Sequence, residues 1–60
     1  MNIGDTVRIV EDVYPELVGM ECRVVQMSDD GTAAWLTREG EDGISGVWCA
    51  VSQLELVSRA

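Results

Sequence analysis

The fold of this chain is decided by one stretch, Trp35-Leu36-Thr37-Arg38-Glu39-Gly40-Glu41-Asp42-Gly43-Ile44-Ser45-Gly46-Val47-Trp48. When the stretch is folded at its middle, the two tryptophans face each other. Two further pairs then meet, Leu36 with Val47 and Ala34 with Cys49. Side chains alternate between the two faces of a strand, and cross-strand partners share a face. The pattern therefore predicts a β-hairpin.

This hairpin predicts one core face and one tryptophan face. The core face carries the small and aliphatic residues Ala34, Leu36, Val47 and Cys49. For the other face, with Trp35 and Trp48, two hypotheses stay open. Either both indoles are exposed and form a binding face, or at least one is buried under the long loop or the chain ends. The second follows because a core without Phe needs its large residues inside.

Size and composition indicate one small all-β domain over residues 1–60. The chain has 60 residues, of which 47% are hydrophobic, and it contains no Phe. A domain of this size buries only about 60% of the surface that its unfolded chain exposes, so the core is small. Much of that core must come from Val, which favours strands.

The charge is strongly acidic, with eleven Asp and Glu against four Arg, no Lys and a net charge of −7. Such a chain repels nucleic-acid phosphates and anionic membranes, so binding to either is disfavoured. The balance predicts a protein partner with a basic patch. The alternative is that the charge serves solubility alone.

No metal, cofactor or targeting motif is present in the sequence. Cys22 and Cys49 are far apart and His is absent, which excludes a zinc motif. The N-terminus lacks the pattern of a signal peptide, and no apolar run approaches the ~20 residues of a membrane span. We therefore expect a cytoplasmic protein with reduced thiols.

Alternation of apolar and polar residues predicts five strands: Thr6–Val10, Met20–Met27, Thr32–Thr37, Gly46–Val51 and Leu54–Val57. Ile3, Val7 and Ile9 share the inward parity. After Val24 apolar residues occupy both faces, which predicts a bulge near Val24-Val25.

The predicted connections are as follows: an ordered loop without a helix over Glu11–Gly19, a turn over Ser28–Gly31, a hairpin tip over Arg38–Ser45, and one helical turn over Ser52–Leu54. Pro15 pushes Tyr14 into an extended conformation. Leu17 and Val18 are expected to tuck onto the core, and Ser58–Ala60 to fray.

Three segments resemble the Src-homology-3-like small β-barrel, and among its members most closely the bacterial KOW-like domains. Gly4-Asp5-Thr6-Val7-Arg8-Ile9 resembles the first strand of these barrels. Gly19–Val25 resembles their "G-x-x-G-x-V" segment, with Cys22 in place of the second glycine, and Val51–Val57 resembles their closing turn and strand. The resemblance implies a five-stranded antiparallel barrel with a short 3-10 turn before the last strand, in a bacterial or phage protein.

The candidate site combines the tryptophans with Tyr14 and an acidic rim. In the Src-homology-like arrangement the long loop and the turn after the second strand flank one side of the barrel. The rim would then consist of Glu11, Asp12, Glu16, Asp29 and Asp30. It would favour a basic segment and speed its encounter. The alternative is a solvated loop with Tyr14 packed on the barrel edge.

Catalysis is not predicted. Glu39, Glu41 and Asp42 sit on a Gly-rich tip with no pocket to perturb their pKa values, and His and Lys are absent. We therefore expect a non-enzymatic protein-interaction module or accessory protein.

Three other hypotheses stay open. One is a KOW-like nucleic-acid domain, which requires Arg8, Arg23 and Arg38 to cluster on one face. Another is an acidic mimic of nucleic acid that occupies a basic site on another protein. The last is a homo-oligomer, formed through the tryptophan face or an edge strand.

Overall fold

The computed structural model describes residues 1–38 and 46–60. In chain order the elements are β1 (Thr6–Ile9), a first 3-10 helix (Pro15–Leu17), β2 (Glu21–Met27), β3 (Ala33–Arg38), β4 (Val47–Ala50), a second 3-10 helix (Val51–Gln53) and β5 (Leu54–Ser58). The predicted strands and helical turn are present with ends shifted by a residue or so. Most of the predicted hairpin tip, with Glu39, Glu41 and Asp42, lies outside the described residues.

The five strands form one antiparallel sheet in the order β4-β3-β2-β1-β5. The prediction of an all-β fold with five antiparallel strands is confirmed. Within residues 1–38 and 46–60, β4 and β5 are the two edges of the sheet and do not pair with each other. The sheet is therefore open. Its hydrogen bonds do not close it into a barrel.

The register of the hairpin is the one predicted from its sequence. Trp35 lies opposite Trp48, Leu36 opposite Val47, and Ala34 opposite Cys49. Ala33 lies opposite Ala50, one step beyond the predicted pairs. A shift of one residue would expose the aliphatic set, so burial of that set fixes the register.

The core lies on one side of the sheet, which we call the inner face. Its buried residues are Val7, Ile9, Cys22, Val24, Ala34, Leu36 and Cys49. They follow the predicted alternation, and both cysteines face inward as expected. Ile3 is an exception to this alternation, since its side chain is 60% exposed. The reason is that Ile3 precedes β1, which begins at Thr6. A parity argument holds only within a strand.

A β-bulge interrupts β2 where the sequence predicted one. Val24 pairs with Leu36 but Gln26 pairs with Trp35, so Val25 is the extra residue. The bulge lets β2 keep apolar residues inward on both sides of it, because Met27 comes to face Ala34. It also brings Gln26 beside Trp35 on the outer face.

The loop between β1 and β2 differs from the prediction, because it contains a short 3-10 helix. Pro15 is the first residue of this helix. The backbone N–H at that position would have no partner within the helix, and the fixed φ of proline suits it. Tyr14 before it is extended, as predicted, with φ −99° and ψ 102°. Leu17 packs against the core as expected, whereas Val18 is exposed.

The predicted fraying of Ser58–Ala60 is wrong. Ser58 pairs with Thr6 in the sheet, and the Ala60 N–H donates to Asp5 Oδ1 at 2.9 Å. The Asn2 N–H donates to Asp5 Oδ2 at 2.8 Å. These two donors hold the pKa of the buried Asp5 carboxyl below its ordinary value. A buried carboxylate needs donors, and here both ends of the chain supply them.

None of the helical segments in the described residues has the length and apolar character that crossing a membrane requires.

Candidate protein-interaction site

Trp35 and Trp48 lie side by side on the outer face of β3 and β4. Their ring centroids are 5.5 Å apart and the ring planes meet at 61°, an edge-to-face contact. Trp48 is 48% exposed, while Trp35 is half-buried. Neither hypothesis about the pair holds in full: one indole is open to solvent, and the other is partly covered. The contact is worth about 0.5–1.5 kcal/mol beyond the burial of the rings.

Gly46 provides the space that Trp35 occupies. A Cβ at this position would fall 2.6 Å from the ring atoms Cε2 and Nε1 of Trp35, and closer still to the Leu36 carbonyl oxygen. Real Cβ atoms do not approach other atoms so closely. The absence of a side chain at Gly46 therefore allows the Trp35 ring to lie against the neighbouring strand.

Next to the tryptophans, the outer face carries two small residues, Ala33 and Ala50, which lie opposite each other. They form the floor of a depression. The resulting depression, which we call the outer trough, has a volume of about 600 Å³ and is lined by Gly31–Ala33 and Trp48–Ser52. The Val51 N–H donates to the Thr32 carbonyl at 2.8 Å and ties the two walls together. The step from indole to methyl side chains creates the trough.

An acidic turn borders the outer trough. Asp30 Oδ1 accepts hydrogen bonds from Ser28 Oγ at 2.8 Å, from the Thr32 N–H at 3.0 Å and from Thr32 Oγ1 at 2.7 Å. These donors, with the Thr32 hydroxyl first, lower the pKa of Asp30 to about 2. Gly31 has φ +75°, as the predicted turn requires. Thus Asp30 stays ionised and sits directly behind Thr32 of the trough wall, with the exposed Asp29 next to it.

Tyr14 and Asp12 belong to a different part of the molecule. Asp12 Oδ1 accepts from the Tyr14 N–H at 2.9 Å, and Cys49 Sγ donates to Asp12 Oδ2 at 3.7 Å. Because Cys49 points to the inner face, this contact brings the loop to the side of β4 opposite Trp48. Tyr14 is 59% exposed and Glu11 is exposed as well. The structure groups Asp29 and Asp30 with Trp48, and groups Glu11, Asp12 and Tyr14 with the inner side.

The two cysteines are buried thiols that are not joined to each other by a disulfide. Burial, with the nearby Asp12 carboxylate, raises the pKa of Cys49 to about 11. A thiol with so high a pKa carries little thiolate at neutral pH and is a poor nucleophile or metal ligand. Within residues 1–38 and 46–60, no three His, Cys, Asp or Glu side chains are grouped to hold a metal ion.

A second groove opens on the inner face. It has a volume of about 220 Å³ and is lined by Leu17, Met20, Cys22, Leu36, Arg38, Gly46 and Val47. Arg38 lies there because it pairs with the inward-facing Cys22 at the end of β3.

The outer trough is the part of the site that the sequence reasoning missed. The alternation rule assigned Ala33 and Ala50 only to strands, and their pairing follows from the same register that joins the tryptophans. Extending the fold of the hairpin by one more pair would have found them. A comparison with protein-family models, with curated proteins and with solved structures finds no match to this chain.

Proposed function

We propose that this chain is a non-enzymatic protein-interaction module that binds a basic segment of a partner through the outer face around Trp48. The observation that carries the proposal is the half-exposed indole of Trp48, set against Trp35 beside an open trough. Tryptophans that are rigid and accessible are frequent anchors of protein interfaces. The Trp48 indole lies on the edge strand β4 and points away from the inner face, so it has no evident role in packing the core.

The charge of the chain supports a basic partner. The net charge is −7, and Asp29 and Asp30 border the trough. Exposed carboxylates add little affinity one by one, but together they attract a cationic segment and orient its approach. The proposal keeps the cytoplasmic location and the likeness to Src-homology-3-like, KOW-like domains expected from the sequence, with the five-stranded sheet open rather than closed into a barrel.

Placement of the arginines argues against the nucleic-acid alternative. Arg8 and Arg23 lie on the outer face, whereas Arg38 points to the inner groove. Arg8 is also paired with Glu21 at 3.1 Å and with Glu55 at 3.7 Å. The three residues therefore present no common cationic surface. An acidic mimic of nucleic acid remains a special case of the proposal, in which the basic partner is a nucleic-acid-handling protein.

Tryptophan fluorescence tests the proposed function. The wild-type chain is titrated with a short peptide of alternating Lys and Arg at low salt and at physiological salt, and with a single-stranded oligonucleotide. We expect a saturable change with the peptide that weakens as salt rises. Trp48→Ala should abolish binding, and Val57→Ala on exposed β5 serves as the matched control. No saturable change at low salt, or binding unaltered in Trp48→Ala, would contradict the proposal, and binding of the oligonucleotide would favour the alternative.

A further inference from the structure

We propose that the outer trough is built to take the side chain of an arginine from the basic partner, with the guanidinium plane stacked on Trp48. This inference rests on the proposed function, and it specifies the residue type that the site selects. Arginine differs from lysine in its planar, weakly hydrated head group, which stacks on aromatic rings and offers donors in a fixed fork. Three features of the trough match that head group and its stem.

The first feature is an aromatic wall that is held in place before any ligand arrives. Gly46 leaves room for the ring of Trp35, and Trp35 in turn contacts Trp48 edge to face at 5.5 Å between centroids. This chain of contacts restricts the indole of Trp48 while leaving it 48% exposed. A preorganised wall loses little conformational entropy on binding, so more of the stacking energy appears as affinity.

The second feature is a shallow apolar floor. Ala33 and Ala50 present only methyl groups, so the floor next to Trp48 is low and smooth. The methylene stem of an arginine can lie on such a surface while its head group stays near the rim. Any larger residue at Ala50 would raise the floor and fill the space that the stem needs.

The third feature is the fixed negative charge at the end of the trough. Asp30 is bonded to both the N–H and the hydroxyl of Thr32, which is itself part of the wall. Three donors keep its carboxylate in place, and Asp29 lies exposed beside it. A cation that lies along the alanine floor from Trp48 toward Thr32 therefore approaches the turn that carries Asp29 and Asp30.

The same features disfavour other occupants. A second copy of the chain would bring another net charge of −7 to an acidic rim, and a nucleic acid would bring phosphates to it. A neutral aromatic side chain would stack on Trp48 but gain nothing from Asp29 and Asp30. Charge complementarity thus selects a basic segment, and the flat wall selects arginine within it.

Two matched peptides test the inference. They have the same length and a Gly/Ser background, and they differ only in carrying arginine or lysine at the cationic positions. We expect the arginine peptide to bind about twofold to fivefold more tightly, because the planar guanidinium stacks on the ring while the ammonium group of lysine stays strongly hydrated. Trp48→Leu, which keeps an apolar side chain but removes the ring, should make the two affinities equal. Ala50→Leu should weaken binding of the arginine peptide although Trp48 is intact.

A measurement on the wild-type chain avoids dependence on the folding of these variants. Protons of an arginine side chain that stacks on an indole shift upfield in the nuclear magnetic resonance spectrum, and the Trp48 ring signals should move in the same titration. Val57→Ala is again the control and should keep the arginine preference.

The outcomes separate the two proposals. Equal binding of both peptides, lost in Trp48→Leu, would overturn the arginine inference and leave the proposed function standing. An arginine preference that persists in Trp48→Leu, or binding of the arginine peptide that is unchanged in Ala50→Leu, would overturn the placement in the trough. Failure of both peptides to bind at low salt would overturn the proposed function itself.

Discussion

The β3–β4 pair and the last strand, β5, have the same antiparallel hydrogen bonding but are stabilised by different side-chain interactions. The pair places Ala34, Leu36 and Cys49 in the core and sets Trp35 against Trp48 on the other face. None of the residues of β5 is buried. That strand is held by its pairing with β1, by the partly buried Leu54 at its start, by the contact of Glu55 with Arg8, and by the hydrogen bond from Ala60 to Asp5 just past its end.

This contrast shows that the two edges of one small sheet can depend on different forces. Side-chain burial on both faces holds the tryptophan edge, so changes in volume should matter most there. After Leu54, backbone pairing and charged groups hold β5, so that part of the strand should respond weakly to loss of side-chain volume and more to pH. The candidate site lies on the edge that packing makes rigid.

Matched leucine-to-alanine substitutions give the sharpest test of the contrast. Leu36 is 1% exposed and Leu56 is 39% exposed. We expect Leu36→Ala to lower the free energy of unfolding by about 2–5 kcal/mol, because it leaves a cavity in the core. Leu56→Ala should cost about 0.5–1 kcal/mol, since the side chain remains partly in water when folded. Urea unfolding followed by circular dichroism measures both, and similar costs would break the contrast.

Gly46→Ala tests whether the tryptophan edge has space to spare. The new methyl group must displace the Trp35 ring or the strand backbone, at an expected cost of about 1–3 kcal/mol. The near-ultraviolet circular dichroism of the paired indoles should weaken as well.

The control for Gly46→Ala is Gly31→Ala, where nothing lies within 4 Å of an added Cβ and the φ of +75° is the sole obstacle. It should cost stability by strain alone and leave the indole signal intact. If Gly46→Ala changed neither the stability nor that signal, the close packing of the Trp35 ring against Gly46 would be refuted.

Acid titration tests how the hydrogen bond from Ala60 to Asp5 stabilises the end of β5. We expect the smallest change in the free energy of unfolding here. Folding lowers the pKa of Asp5 below its ordinary value of 3.8. At pH values near and below 3.8 the unfolded chain therefore binds more protons than the folded chain. The stabilisation from Asp5 is therefore complete only well above the unfolded pKa, at about pH 5, and is lost as the pH falls through the folded pKa.

Urea midpoints between pH 5 and pH 2.5 should fall less steeply in Asp5→Asn than in the wild type. Asp30 also contributes to the pH dependence in this window, because its pKa is 3.8 in the unfolded chain and about 2 in the folded chain, so Asp30→Asn serves as the comparison. Identical slopes for Asp5→Asn and the wild type would show that the carboxylate does not stabilise the closing of the chain ends.

The sequence predicted the parts of the fold that depend on local alternation. The strands, the hairpin register, the bulge at Val25 and the turn at Gly31 all follow from parity or from residue types with special backbone preferences. The tertiary structure was needed where a residue's environment comes from segments far away in the chain. Asp5 is an example, since its partner Ala60 lies 55 positions further on.

The candidate site divides in the same way. The pairing of Trp35 with Trp48 could be predicted, but their different exposures could not, because they depend on the strand order: Trp35 lies on β3 between β4 and β2, whereas Trp48 lies on the edge strand β4. The predicted acidic rim is split, because the Asp12 contact with Cys49 draws one loop to the inner side. No alternation pattern contains that information.

By itself, then, the sequence determined a β-hairpin with tryptophans on one face and a core on the other, since alternation and pairing are local consequences of strand geometry. Only the tertiary structure decided which indole faces solvent, which acidic turn borders the same depression and where the alanine floor opens. Those properties depend on the packing of side chains from different strands and on the openness of the sheet, and they turn the hairpin into a candidate binding site.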